Sequence, residues 1–235
     1  MKKETRTAQQ VRGDMGRAGF TLAEVLITLG VIGIVAALTM PALIANYQKQ
    51  QTITHLKKVY SIINNAIKLM ELDDNLSERG AGTDCSARTS ADVLNQYVKP
   101  YFNVIKTCEK ASDCGYPVDY NWISPDGTVK GYAMYNYTPR DAFWAGATLN
   151  DGTLINILHR NSASDECYFQ YFVDLNGPKA PNQMGKDIFV ISSNGGASSS
   201  DTNDAARGCH EGAWGFYCLS KIIKDGWEIS DDYPW

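Results

Sequence analysis

The chain has 235 residues, 44% hydrophobic and 20% charged, with a net charge of −4 and three histidines. A negative balance argues against broad electrostatic binding of nucleic acid, which needs a positive surface. The chain contains no Gly-x-Ser-x-Gly, no His-Glu-x-x-His and no phosphate-binding glycine loop, so the common catalytic signatures are missing too.

The first 19 residues carry Lys2, Lys3, Arg6, Arg12 and Arg17 against Glu4 and Asp14. An excess of Lys and Arg beside a membrane span holds that side in the cytoplasm, which puts everything after the span outside it. Gly19-Phe20-Thr21-Leu22-Ala23-Glu24 follows, and then 21 uncharged residues run from Val25 to Ala45. At 1.5 Å per residue a helix of that length covers roughly 30 Å, the hydrocarbon thickness of a bilayer. The one acid at its start, Glu24, is costly in such a place and marks function. A secretory signal peptide would be cut after a shorter apolar run, not before a longer one.

Residues 19–24, with the charge-free run behind them, resemble the processing site of type IV prepilins and type II secretion pseudopilins. The resemblance covers about the first fifth of the chain and implies several properties. A prepilin peptidase would cut between Gly19 and Phe20 and methylate the new amine of Phe20. Glu24, fifth in the mature chain, would pair with the N-terminal amine of a neighbouring subunit and so set the register of a filament. In low dielectric such a contact lowers the cost of both charges. An acid that steadies its own helix N-terminus is the alternative role for Glu24. Gly30, Gly33 and Pro41 are expected to interrupt the apolar helix, with a kink near Pro41.

Beyond Asn46 the chain turns polar but keeps helical rhythm. Ile53, Leu56, Tyr60, Ile63, Ile67 and Met70, widened by Val59, Ile62, Ala66 and Leu69, predict an amphipathic helix that continues to about residues 73–75. The next 16 residues read as loop, and Ser90 is the expected cap of a short helix over 91–97, stopped by Pro100. A loop rich in Cys, Gly and Pro is expected to run to about Gly127. Strands are predicted over 131–137, 142–149, 153–159, 167–175 and 188–192 as an antiparallel meander, with a hairpin at Asn150-Asp151-Gly152. A mobile stretch over 194–206 and a short helix near 214–224 complete the reading. The predicted fold is α+β and pilin-like, a long N-terminal helix packed on an antiparallel sheet. Its segments are a leader (1–19), a membrane and polymerisation helix (20–45) and a head (46–235). The head, of roughly 190 residues, is large enough for one core.

Six cysteines, at 85, 108, 114, 167, 209 and 218, all lie beyond the span, on the side expected to be oxidising. Fifteen connectivities are open. Proximity pairs Cys108 with Cys114 and Cys209 with Cys218, leaving Cys85 for Cys167. The pair at 209 and 218 would also fit the disulfide-bounded loop common in type IV pilins. A zinc site is disfavoured by the absence of Cys-x-x-Cys.

Asp174-Leu175-Asn176-Gly177, running on to Asp187, has the oxygen-rich start of a calcium loop. Asp174, Asn176 and Asp187 would supply side-chain oxygens and the backbone more. Major pseudopilins bind calcium in a loop of the head's sheet, so the resemblance supports that reading. A tight loop whose Asp and Asn bond their own backbone, with Gly177 at positive φ, is the competing one.

The resemblance implies a non-enzymatic, single-pass protein of the bacterial inner membrane with its head in the periplasm or, after assembly, on the cell surface. Its implied partners are the prepilin peptidase, other pilin or pseudopilin subunits, an inner-membrane assembly platform and membrane lipid, with no nucleic acid. A minor tip pilin whose head binds DNA, carbohydrate or a partner protein is the second reading, although a tip subunit can lack the acid that Glu24 supplies. A membrane-anchored enzyme is the third.

Overall fold

The structure, a computed structural model, describes residues 19–73, 81–82, 89–116, 121–133, 142–161, 167–193 and 202–235. The leader before Gly19, Cys85 with its expected bond to Cys167, strand residues 134–137 and the 194–201 part of the polar stretch lie outside the described residues. The chain divides into two compact units, Met1–Tyr47 and Gln48–Trp235.

The described residues of the first unit are helical from Leu22 on. Helix α1 is Leu22–Leu72 and contains Pro41. It is a single unbroken helix through Gly30, Gly33 and Pro41, where the sequence suggested an interruption. Proline removes one backbone donor, about 3 kcal/mol in a helix interior, but the turns on either side keep their own bonds. The Thr39 hydroxyl, two residues before Pro41, donates to the carbonyl of Val35 at 2.9 Å.

In the second unit the later part of α1 buries Ile53, Leu56, Val59, Ile63, Ala66, Ile67 and Met70, a 3–4 spacing that keeps one face inward. Tyr60 is only partly buried and Leu69 stays half exposed, so the stripe is narrower than the sequence suggested. That face meets a six-stranded antiparallel sheet. Its strands are β1 (Ala81–Gly82), β2 (Val104–Cys108), β5 (Ala142–Leu149), β6 (Leu154–Asn161), β7 (Cys167–Asp174) and β8 (Ile188–Ser192). Strands β2, β5, β6 and β7 lie in that order, and β1 and β8 share the far edge of β7. The small β3 (Asn121–Ile123) and β4 (Val129–Ala133) form a separate hairpin. With its long N-terminal helix and antiparallel sheet the fold is α+β and pilin-like.

The two-residue period of the strands sorts the sheet's faces. Ala145, Ala147, Ile155, Ile157, Phe169, Tyr171, Val173, Phe189 and Ile191 join α1 in the main core. Leu158, Phe172, Ile188 and Val190 point the other way, onto Trp122, Met184 and Phe216. Short helices close the main core: α2 (Ser90–Val93), running into a π-helical turn (Leu94–Val98), and α3 (Cys218–Lys224). The cap of α2 is Thr89, in a capping box with Asp92, rather than Ser90. Disulfides join Cys108 to Cys114 and Cys209 to Cys218.

The predicted Asp-Gly hairpin is where α1 grips the sheet. Gly152 takes φ +88, and the Thr153 amide donates to Asp151 Oδ1 at 3.1 Å. Asp151 Oδ2 accepts from Lys58 Nζ at 2.7 Å and stands 3.4 Å from His55 Nε2. Burial pushes the Asp151 carboxyl up, but Lys58 and the hydroxyl and amide of Thr153 outweigh it and hold it below the usual carboxylate range. A lowered folded-state pKa adds stability above the ordinary value of 3.8, and that stability is lost as pH falls through the folded value. Asp151→Asn is therefore expected to cost about 1 kcal/mol, or about 3 °C in melting temperature, at neutral pH. The gap between the two proteins should narrow steadily as pH falls from 4 toward the lowered folded-state value, and a gap that stays constant over that fall would show that Asp151 acts through something other than its charge.

Candidate functional sites

Two places carry chemistry beyond packing, one in each unit. At the start of α1, Thr21 is the N-cap and Glu24 the third helical residue, a Thr-x-x-Glu capping box. The Thr21 amide and hydroxyl each donate to Glu24 Oε2 at 2.8 Å, and the Glu24 amide donates to Thr21 Oγ1 at 3.2 Å. Glu24 is thus held at the end of the helix by its own first turn, and the sequence reading missed Thr21 although the spacing carries the signal. Gly19 and Phe20 stand just before the helix, Phe20 with 87% of its surface exposed. The apolar residues behind them, Leu26, Ile27, Leu29, Ile32, Ile34, Leu38 and Leu43 among them, are all more than half exposed. An unbroken apolar helix without protein cover is long and apolar enough to cross a membrane. Around Gly30 and Gly33 nothing lies within 4 Å of where a side chain would begin, so both leave open surface for a neighbouring helix.

The second place is the loop joining β7 to β8. Asp174 ends β7 fully buried, with Oδ2 accepting from the Tyr116 hydroxyl at 2.5 Å and Oδ1 from the Asn176 amide at 3.3 Å. Gly177 turns the chain at φ +67. Asp187, also buried, braces the returning limb: Oδ2 accepts from the Asn182 amide at 2.8 Å and Oδ1 from the Gln183 amide at 2.5 Å. Asn176 Nδ2 reaches Asp187 Oδ2 at 3.3 Å, while its Oδ1 is buried without a hydrogen-bond partner.

The Asn182 side chain fills the centre of this loop. One end of its amide lies 3.0 Å from Asp174 Oδ2, 3.1 Å from the Gly177 carbonyl and 3.2 Å from the Lys179 carbonyl. With nitrogen at that end, the amide donates to all three and is satisfied. With oxygen there, four oxygens face one another, an arrangement that only a cation among them would make favourable. Burial, and then the charge of Asp187, push the Asp174 carboxyl up to about 8 despite the Tyr116 bond. Burial also raises Asp187. With the Asn182 oxygen inward, the donors gathered there are one carboxylate, one amide oxygen and two backbone carbonyls, hard oxygens of the kind calcium takes, while both Asp187 oxygens are already engaged by backbone amides.

Of the three residues suggested by sequence, Asp174 faces the Asn182 amide, Asp187 holds the backbone that carries Asn182, and Asn176 has one buried oxygen without a hydrogen-bond partner. Asn182 and the carbonyls of Gly177 and Lys179 were not foreseen. No group of three or more His, Cys, Asp or Glu side chains that could hold a metal occurs among the described residues, so the oxygen ring around Asn182 depends on amide and backbone oxygens.

Comparison with known families accords with both units. Residues 14–40 match the prokaryotic N-terminal methylation motif, which supports the resemblance to prepilin-type proteins. Residues 42–235 match a family of unknown function, DUF6613, and the chain belongs to that family. No match was found among curated proteins or among solved structures.

Proposed function

We propose that this chain is a structural, non-enzymatic subunit of a type II secretion pseudopilus or type IV pilus-like filament, cleaved after Gly19, N-methylated at Phe20 and polymerised through its N-terminal helix. The observation that carries the reading is the match of residues 14–40 to the methylation motif, which spans the Gly19-Phe20 junction and the start of α1. Before assembly residues 20–45 span the inner membrane with the leader in the cytoplasm and the head, residues 46–235, in the periplasm. The prepilin peptidase, an assembly platform and further pilin-like subunits are then its partners. Glu24 favours an internal position in the filament over a tip, because a tip subunit has no earlier amine to meet.

Within the head, calcium held by Asp174, Asn182 and the carbonyls of Gly177 and Lys179 would lock the β7–β8 loop. The convergence of Asp174 Oδ2 and the carbonyls of Gly177 and Lys179 on one end of the Asn182 amide supports this part of the reading.

Intact mass and N-terminal sequence of the protein extracted from native membranes test the processing step. The expected product begins at N-methylated Phe20. A chain that retains residues 1–19 in a host with a working prepilin peptidase would reduce the protein to a plain membrane-anchored one.

A further inference from the structure

The 226–235 segment lies against the returning limb of the β7–β8 loop. The Tyr233 hydroxyl, buried, donates to the Gly185 carbonyl at 2.7 Å. Gly185 sits at φ +83, and a side chain there would begin 2.9 Å from Cys218 Sγ and 2.9 Å from the Tyr233 hydroxyl. The limb is therefore wedged between the Cys209–Cys218 disulfide and Tyr233, at a position only glycine fills. Two residues on, Asp187 holds the amides of Asn182 and Gln183, and Asn182 presents its side chain to the oxygen ring.

The same segment is tied down on its other side. Trp227 packs edge-on to Tyr60 at 5.3 Å and lies under Lys57 at 5.6 Å, so it rests on α1. Lys221 joins Asp225 at 3.2 Å and Asp232 at 2.7 Å, and Ser230 bonds Asp225 at 2.8 Å. Trp235 then lines a cleft of about 430 Å³ together with Asn176, Pro181 and Asp187 of the loop and Gln51 of α1.

We infer that Tyr233 is a positioning residue for the cation loop, so that docking of the 226–235 segment on α1 and calcium binding reinforce each other. The inference rests on the calcium reading above. The physical link is the hydrogen bond to Gly185: it fixes the limb whose backbone sets where Asn182 points. Coupling between two such events is reciprocal, so whatever the segment adds to calcium affinity, calcium returns to the segment's docking. Groups that orient ligands without touching the metal are worth about 10- to 100-fold in affinity.

The test uses the full chain in detergent micelles, with calcium alone as the probe. Calorimetric titration of the wild type and of Tyr233→Phe should give a calcium Kd about tenfold or more weaker in the variant. In the wild type, calcium should also slow amide hydrogen exchange across residues 226–235 by more than it slows the rest of the head, and Tyr233→Phe should lose that extra protection, which a merely structural tyrosine would not produce. An unchanged Kd in a folded Tyr233→Phe, or exchange in 226–235 that ignores calcium while the wild type binds it, overturns the linkage alone. A wild type that binds no calcium removes the cation reading and the linkage together.

Discussion

Glu24→Ala should leave cleavage after Gly19 intact yet lower incorporation into filaments about tenfold or more. A carboxylate at this depth costs on the order of 2.5–3.5 kcal/mol unless it meets an opposite charge. A filament in which the amine of an already assembled subunit meets it recovers part of that cost, and each 1.4 kcal/mol is a factor of ten. The capping box supplies a rival explanation of the same loss, since Glu24 accepts two bonds from Thr21 and a lost cap is worth about 1 kcal/mol. Glu24→Gln separates them. Glutamine serves the capping box as well as glutamate does but carries no charge. If Gln assembles as poorly as Ala, the charge is what the filament uses. If Gln assembles like the wild type, the residue acts as a cap and the pairing is wrong. Thr21→Ala is the complementary variant: it removes a capping hydroxyl and keeps the acid, so it should assemble far better than Glu24→Ala.

What could be read in the sequence follows from how local each determinant is. The apolar run, the helical stripe over 53–70 and the Asp-Gly hairpin are all specified within a few turns or one loop, and each appears where the residues put it. β5 and β8 were read at their observed bounds for the same reason: eight and five residues of strand-forming sequence with turn residues on either side. β2 and β3 were missed because five and three residues are too few to show a period. β2 forms because β5 offers it an edge, with a register shift between Val104 and Lys106 that blurs the alternation further. The loop site was half legible. Asp174, Asn176 and Asp187 announce oxygen chemistry, but two members of the ring are main-chain carbonyls, which no residue type reveals. Likewise, Gly185 has to be glycine because of Cys218 and of Tyr233, the latter 48 positions along the chain.

Chelating calcium is expected to lower the head's melting temperature by roughly 5–10 °C. Ligand present at a hundred times its Kd stabilises by about 2.7 kcal/mol, and in a domain of this size each kcal/mol moves the midpoint about 2–4 °C. Asp174→Asn should abolish that response, because its amide oxygen still accepts the Tyr116 hydroxyl while the charge facing the ring is gone. Asn182→Asp gives the decisive contrast, since the two orientations of the Asn182 amide predict opposite results. If oxygen faces Asp174 and the carbonyls of Gly177 and Lys179 around an ion, a carboxylate there adds charge to the site. Calcium affinity should then rise and the calcium-loaded protein should melt no lower than the wild type. If nitrogen faces them, the new carboxylate is pressed against three oxygens at 3.0–3.2 Å. An uncompensated buried charge costs about 3–5 kcal/mol, so the variant would melt far below the wild type whether or not calcium is added. Thermal melts of these proteins with calcium and with chelator decide between the two arrangements, and a wild type that chelator leaves unchanged removes the ion from the loop.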